Sequence, residues 1–379
     1  MIYLDNCATT KQRDEVAKSV FEYQANNFAN PSSLHSLGMR VQKDIESARR
    51  EIAEILNVSE DELYFTASGT EANNIALNGV MEKFGKRKKH ILVSSVEHSS
   101  VWEKMKDFSK KGYEVETLSV DKFACVNPED LKNKLREDTA LVSCMQVNNE
   151  IGTIEPIEEL GEIIAEKSEA VFHVDGVQGF LKVPLFLKKS RIKLYSASGH
   201  KIHAPKGVGL LFVDKSLSIT PLFYGGGQER GLRSGTENTC GIFGLGLASK
   251  LMAENFEAER ERAFKLKDML WKKLSEIPFV TKLSPDKSSP YILSIAFKDV
   301  PGEVLLHYLE RDEIFISTSS ACNSNGNKKS RTVSAINLSE NYSKGVIRMC
   351  VSYETSPEDI EKAASKIKYY VEKIREVVQ

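Results

Sequence analysis

Between residues 43 and 250 short apolar runs alternate with amphipathic stretches, a pattern that confines the chain to βα units around a mostly parallel sheet. In Lys43–Leu56, residues Ile45, Ala48, Ile52 and Ile55 recur at three- and four-residue spacing between charges, which predicts a helix. Strands are predicted at Ile91–Ser95, Glu114–Val120, Ala140–Gln146, Val171–Asp175, Ile192–Ser196 and Val208–Val213, with a helix at Pro156–Lys167 that carries its proline in the first turn. Together they make an open α/β sheet of about six or seven strands. Beyond Leu251 a charged helix is expected to run through Lys273, followed by a smaller α+β unit. Its strands are predicted at Ile292–Phe297, Ile314–Thr318 and Val346–Ser352. Its last helix runs from Pro357 towards Val378, buried along Ile360, Ala364, Ile367 and Val371. Ser319–Ser330, twelve polar residues directly after a strand, is expected to be a mobile loop.

Composition removes several function classes. Hydrophobic residues at 41% and charged residues at 28% suit a soluble globular protein whose 379 residues hold one large and one small domain. With 52 Lys+Arg against 53 Asp+Glu the net charge is -1, so no global field draws the chain to nucleic acid or to an anionic membrane. No apolar run approaches the roughly 20 residues that cross a bilayer. Met1-Ile2-Tyr3-Leu4-Asp5 lacks a basic segment followed by an apolar one, and the expectation is a cytoplasmic protein. The cysteines Cys7, Cys125, Cys144, Cys240, Cys322 and Cys350 form no CxxC pair and have no histidine at ligand spacing, so neither a metal site nor a disulfide framework is expected. Most are expected to be small buried hydrophobes. Cys322 differs because it lies in the Ser/Asn/Gly-rich loop, where exposure suits a nucleophilic thiolate, the alternative being an exposed bystander.

Open α/β sheets bind ligands beyond the carboxyl ends of their strands. Polar residues follow the apolar runs repeatedly, at Ser94-Ser95-Val96-Glu97-His98, Gln146-Val147-Asn148-Asn149-Glu150, Asp175-Gly176-Val177-Gln178 and Ser196-Ala197-Ser198-Gly199-His200-Lys201. Phe65 to Asn74 places Ser68, Gly69 and Thr70 at the start of a helix, where free N–H groups favour a phosphate; a plain N-cap is the other reading. A carboxylate at Asp175 could keep a ring nitrogen protonated, or could serve only a turn. Lys201, between His200 and the turn Ala204-Pro205-Lys206-Gly207, suits Schiff-base chemistry if buried and is otherwise a surface lysine.

These residues carry a resemblance. The stretches Leu4 to Thr10, Asn30 to His35, Thr66 to Asn74, Val96-Glu97-His98, Asn148 to Thr153, His173 to Gln178, Ser198-Gly199-His200-Lys201, Gly225 to Gly231 with Arg233 to Asn238, and Ser319-Ser320-Ala321-Cys322 are similar to the NifS-like group I cysteine desulfurases. That family is a branch of the fold-type I pyridoxal-phosphate (PLP) enzymes. The resemblance implies a large cofactor-binding domain with a mostly parallel seven-stranded sheet over 16–255. A smaller α+β domain, formed by 1–15 and 256–379, would carry the catalytic cysteine loop. It implies that Lys201 forms the Schiff base, Asp175 pairs with the pyridinium nitrogen, His98 stacks on the ring and relays protons, and Gln178 bonds the ring hydroxyl. Gly69, Thr70, Ser198 and His200 would hold the phosphate, with Thr236 reaching the phosphate of a partner subunit in a homodimer. Arg348 and Asn149 would clamp the substrate carboxylate, and Asn30 and His35 would lie near the substrate. Cys322 would take sulfur from L-cysteine as a persulfide, leaving L-alanine, and pass it to an acceptor protein such as an iron–sulfur scaffold or a thiolation enzyme.

The chain departs from the family pattern at Cys7, where asparagine is commonest, at Ala67-Ser68, at Ala204, and in Asn323 to Lys329 after the cysteine. A selenocysteine lyase or another fold-type I enzyme such as an aminotransferase would keep the cofactor residues without needing Cys322. A catalytically idle scaffold subunit would need none of Lys201, Asp175 or His98.

Overall fold

The computed structural model describes residues 1–318 and 330–378. Its strands, in chain order, are β1 (Ile2–Tyr3), β2 (Leu63–Thr66), β3 (His90–Ser94), β4 (Glu114–Leu118), β5 (Thr139–Met145), β6 (Val171–Asp175) and β7 (Leu194–Ser198), then β8 (Gly209–Val213), β9 (Val280–Lys282), β10 (Ile292–Phe297), β11 (Ile314–Phe315), β12 (Ser317–Thr318) and β13 (Val346–Cys350). A seven-stranded sheet takes the order β2-β8-β7-β6-β5-β3-β4. Strands β3 to β7 pair in parallel, and β8 runs antiparallel to both of its neighbours. The fold is therefore α/β with a mostly parallel sheet. Helices cover both faces, so β3, β5, β6, β7 and β8 are buried at every position, which is why they read as continuous apolar runs. Edge strand β4 instead carries Glu114 and Glu116, charges that discourage further pairing.

Several elements differ from expectation. The helix predicted from Lys43 begins at Ser36, because His35 caps it by accepting from the Gly38 N–H. Pro156 is the N-cap of Ile157–Lys167 and does not enter the first turn. The strand predicted at Ile192–Ser196 starts and ends two residues later, since pairing with β8 runs from Leu194 opposite Val213 to Ser198 opposite Gly209. One charged helix beyond Leu251 is two: Thr239–Glu254, largely apolar and buried, and the charged Phe256–Leu274, meeting at Asn255.

A second, antiparallel sheet has the order β12-β13-β10-β9. Leu266, Leu270 and Leu274 of one helix and Ile360, Ile367 and Val371 of Pro357–Val378 pack on Ile292, Leu293 and Ile295 in a single apolar core. The predicted strand Ile314–Thr318 changes partner at Ile316: β11 pairs with β1, and β12 with β13. Ile2, Leu4 and Cys7 join this same core. The N-terminal segment thus runs past the end of β13, with Asp5 bridged to Cys350, and on to the carboxyl rim of the large sheet. Among the described residues no helix is long and apolar enough to cross a membrane.

Candidate active site

Residues following β2, β3, β5, β6 and β7 line a cavity of about 330 Å³ on that rim, within the size range of small-molecule sites. A larger cleft of about 1260 Å³, lined by residues such as Ala140, Val171 and Ile192, lies towards the amino ends of β5, β6 and β7 and contains none of the predicted site residues. The carboxyl-end rule for α/β sheets selects the smaller cavity.

Asp175 ends β6 on the cavity wall, nearly inaccessible at 4%. Its Oδ2 accepts from Asn73 Nδ2 at 2.8 Å and its Oδ1 from the Val177 N–H at 3.0 Å. The second hydrogen of the Asn73 amide goes to Ser100 Oγ at 2.9 Å, and Ser100 Oγ lies 2.8 Å from His98 Nδ1. His98 also caps Ser99–Lys110 by accepting from the Ser100 N–H at 3.2 Å. Burial lowers the His98 pKa, reinforced by the charges of Lys201 and Arg331 against the opposing pull of Asp175, so the imidazole is held neutral. Beneath it Glu97 accepts from the Met145 N–H at 2.6 Å. Burial and the Asp175 charge push Glu97 well above the ordinary carboxyl range, and of the two carboxyl groups Asp175 is the one that lines the cavity.

Lys201 follows β7 in a short 3-10 turn and is buried. Its Nζ donates to the main-chain carbonyls of Cys7 at 2.5 Å and Ala8 at 2.6 Å. Gln178 Nε2 donates to the same Cys7 carbonyl at 2.9 Å, whereas Gln178 Oε1 is buried with no hydrogen-bond partner. At the far end Gly69 opens the helix Gly69–Phe84, and Ser68 caps it by accepting from the Glu71 N–H. The cap and the anion cradle are thus both present. A Cβ at Gly69 would meet Val177 Cγ2 at 2.5 Å, so only glycine brings this helix start against the cavity. Thr70, Ser198 and His200 line the same end, and burial with the neighbouring lysines pushes His200 down to about 4.

Arg348, on β13, enters from the smaller sheet. It donates from Nη1 to the Asn149 carbonyl at 2.9 Å and from Nη2 to Asp5 Oδ1 at 3.0 Å. Asn149 and Arg348 line the cavity together.

Ten of the predicted site residues therefore converge: Gly69, Thr70, His98, Asn149, Asp175, Gln178, Ser198, His200, Lys201 and Arg348. Thr236 does not line the cavity and is exposed. Asn30 and His35 are not among its lining residues either, and His35 serves as a helix cap. Cys322, and the loop predicted around it as far as Lys329, lie outside the described residues. Sequence reasoning missed Asn73, Ser100 and the Cys7 carbonyl. Asn73 had a signal, since it lies one helical turn after Gly69 and so shares its face.

These groups fit pyridoxal phosphate. A helix start suits the phosphate, a carboxylate the ring nitrogen, and a buried lysine the aldehyde, while the unpartnered Gln178 Oε1 requires a donor from whatever fills the cavity.

The family model described as aminotransferase class-V matches residues 2–363. The cysteine desulfurase IscS of Methanosarcina thermophila is 39% identical over 376 residues, which covers 99% of this chain and 93% of that one. Its namesake from Dictyoglomus turgidum is 38% identical over 378 residues, covering 99% and 96%. The solved structure of a NifS-like protein superposes with a TM-score of 0.93 at 35% identity, covering 98% of this chain and 99% of the other. The cavity and its full-length relatives lead to one conclusion: this chain belongs to the aminotransferase class-V family, among the NifS- and IscS-like cysteine desulfurases.

Proposed function

We propose that the chain is a PLP-dependent cysteine desulfurase that converts L-cysteine to L-alanine and keeps the sulfur as a persulfide on Cys322. The observation that carries this reading is the convergence of Lys201, Asp175, His98 and Gln178 with Arg348 and Asn149 on one cavity. When bound, the cofactor supplies an electron sink that stabilises negative charge at the substrate Cα.

In this reading Lys201 would hold the cofactor through its amine and would move the substrate Cα proton. Asp175 would hold the ring nitrogen and keep it protonated, and His98 would contact the ring from the cavity wall. Gly69, Thr70, Ser198 and His200 hold the phosphate, Gln178 the ring hydroxyl. Arg348 binds the substrate carboxylate with the help of Asn149. The Cys322 thiolate then takes the substrate sulfur: an S–S bond forms, the substrate C–S bond breaks, and a proton completes the methyl group of alanine. Sulfur is oxidised and carbon reduced within the same exchange, so no outside oxidant is needed.

We also propose a homodimer. Phe21, Phe28 and Leu34 are 76%, 77% and 95% exposed, a set of apolar side chains that a partner subunit would cover. Thr236, exposed and away from its own cavity, would complete the partner's phosphate site. The persulfide would pass to an acceptor protein in the cytoplasm, such as an iron–sulfur scaffold or a thiolation enzyme.

The test is incubation with L-cysteine, with alanine, sulfide and intact protein mass measured together. Alanine release with a one-sulfur adduct on Cys322 is the expected result. Cys322→Ser should keep the cofactor and bind L-cysteine yet release almost no alanine, since a hydroxyl is far less ionised than a thiol at neutral pH. Wild-type turnover by that variant would remove Cys322 from the reaction.

A further inference from the structure

Residues 225–238, which include the short 3-10 turn Glu229–Gly231, form an arm along the outer edge of the large sheet, and Thr236 stands exposed on it. Strand β2 ends the sheet order, so the backbone groups on its outer side meet no neighbouring strand. Side chains take them instead. Glu229 accepts from the Phe65 N–H at 2.8 Å, Arg49 Nη1 donates to the Leu63 carbonyl at 2.9 Å, and Arg230 Nη2 donates to that same carbonyl.

At the centre of this contact is a buried ion pair. The Arg49 and Glu229 side chains are each 3% exposed, and two bonds of 2.9 Å join Nη1 to Oε2 and Nη2 to Oε1. Apolar residues of the same volume often stabilise a fold as well as such a pair does, so what the pair adds is a defined register. The backbone beside it points the same way. Gly227, Glu229, Arg230 and Gly231 have φ of 83°, 48°, 52° and 81°. For Glu229 and Arg230, which carry a Cβ, two successive left-handed residues persist only because their surroundings hold them. Further along, Arg233 Nε donates to Glu71 Oε1 at 2.7 Å, in the first turn of Gly69–Phe84. The arm is thus fastened to the strand and the helix that build the chain's own phosphate cradle, whereas Thr236 lines no part of that chain's cavity. Beside Thr236, Glu237 Oε2 is buried without a hydrogen-bond partner among the described residues, an acceptor that a second chain can satisfy.

We infer that Arg49, Glu229 and Arg233 are positioning residues whose clamp on β2 and on the helix behind it sets where Thr236 enters the partner subunit's phosphate site. Each subunit's cradle then registers the arm that completes the other's. This inference rests on the homodimer proposed above. A hydroxyl bonds an anion over a narrow range of distance. Loosening the clamp therefore removes a contact to the phosphate and spares the ring contacts, which come from the chain's own Asp175, His98 and Gln178.

The test titrates full-length apoenzyme with PLP and with pyridoxal, which lacks the phosphate. Glu229→Gln keeps the side-chain shape and breaks the two-bonded pair. It should weaken PLP binding by about tenfold, the lower end for one hydrogen bond to a charged group, and leave pyridoxal binding unchanged. Mixed dimers, isolated through two affinity tags, separate positioning from stability. In the first, a Glu229→Gln chain is paired with a Lys201→Ala chain, so the absorbance of lysine-bound cofactor reports the site on the Glu229→Gln chain, served by an intact arm. Wild-type affinity is expected there. In the second, both substitutions lie on one chain paired with an unaltered one, and the lysine-bearing site, served by the altered arm, should show the full loss. Equal weakening of PLP and pyridoxal, a deficit that stays with the chain carrying Glu229→Gln, or unchanged PLP affinity would overturn the inference. A wild-type protein that sediments as a monomer would overturn it together with the dimer reading, whereas a dimer whose deficit stays on the substituted chain overturns this inference alone. Because the titration reads affinity and not turnover, every result leaves the desulfurase reading to its own test.

Discussion

The side-chain amide of Asn73 donates to the Asp175 carboxylate at 2.8 Å, across 102 positions of sequence. The same amide holds Ser100, which in turn contacts His98, so one residue links the group assigned to the ring nitrogen with the group assigned to the ring face. Asn73 is 1% exposed, and no water can replace it without a cavity. Hydrogen bonds to charged groups contribute about 1.5–3 kcal/mol. Asn73→Ala should therefore weaken cofactor binding by about ten- to a hundredfold, read by titrating apoenzyme with PLP. Unchanged affinity would mean that Asp175 keeps its position on the Val177 N–H alone.

Arg348 reaches the cavity by donating to Asn149 and to Asp5 from two nitrogens of one planar group. Lysine offers a single charged atom and cannot make both contacts in that geometry. Breaking a buried charged pair costs about 2–5 kcal/mol. Arg348→Lys should raise KM for L-cysteine by at least about 30-fold, with the cofactor still bound. Steady-state kinetics with an unaltered KM would exclude Arg348 from the carboxylate clamp.

The exposed side chains Phe28 and Leu34 supply the dimer test. Charges placed in a buried apolar interface are strongly unfavourable, so Phe28→Asp combined with Leu34→Glu should sediment as a monomer and retain less PLP, since Thr236 would have no partner cavity to reach. A wild-type protein that sediments as a fully active monomer would contradict the proposed assembly.

His173, in the centre of β6, touches Ser143 Oγ at 2.8 Å and Ser196 Oγ at 3.2 Å. Burial pushes its imidazole down to about 3 from 6.5. The folded value lies below the unfolded one, so its contribution to stability is complete above pH 6.5 and is lost as pH falls from there towards 3. His173→Gln should shrink the loss of unfolding free energy between pH 6.5 and pH 5 by up to about 2 kcal/mol. Urea denaturation at the two pH values checks this, and parallel pH profiles for both proteins would show that His173 does not titrate on unfolding.

Local chemistry in the chain was enough to define the βα order, the strands Val171–Asp175 and Ile292–Phe297, and the helix Pro357–Val378. Burial on both sides of a sheet, or along one stripe of a helix, leaves its period in the residues themselves. Lys201, Asp175 and His98 were legible for a related reason, since polar groups that follow apolar runs collect on one rim of a parallel sheet. Tertiary structure alone decided the change of partner within Ile314–Thr318, the break at Asn255 and the Asn73–Ser100–His98 chain of contacts. Each depends on which distant backbone lies alongside. Periodicity records that a residue is buried, but which residue it is buried against is set by strand register and packing between segments hundreds of positions apart.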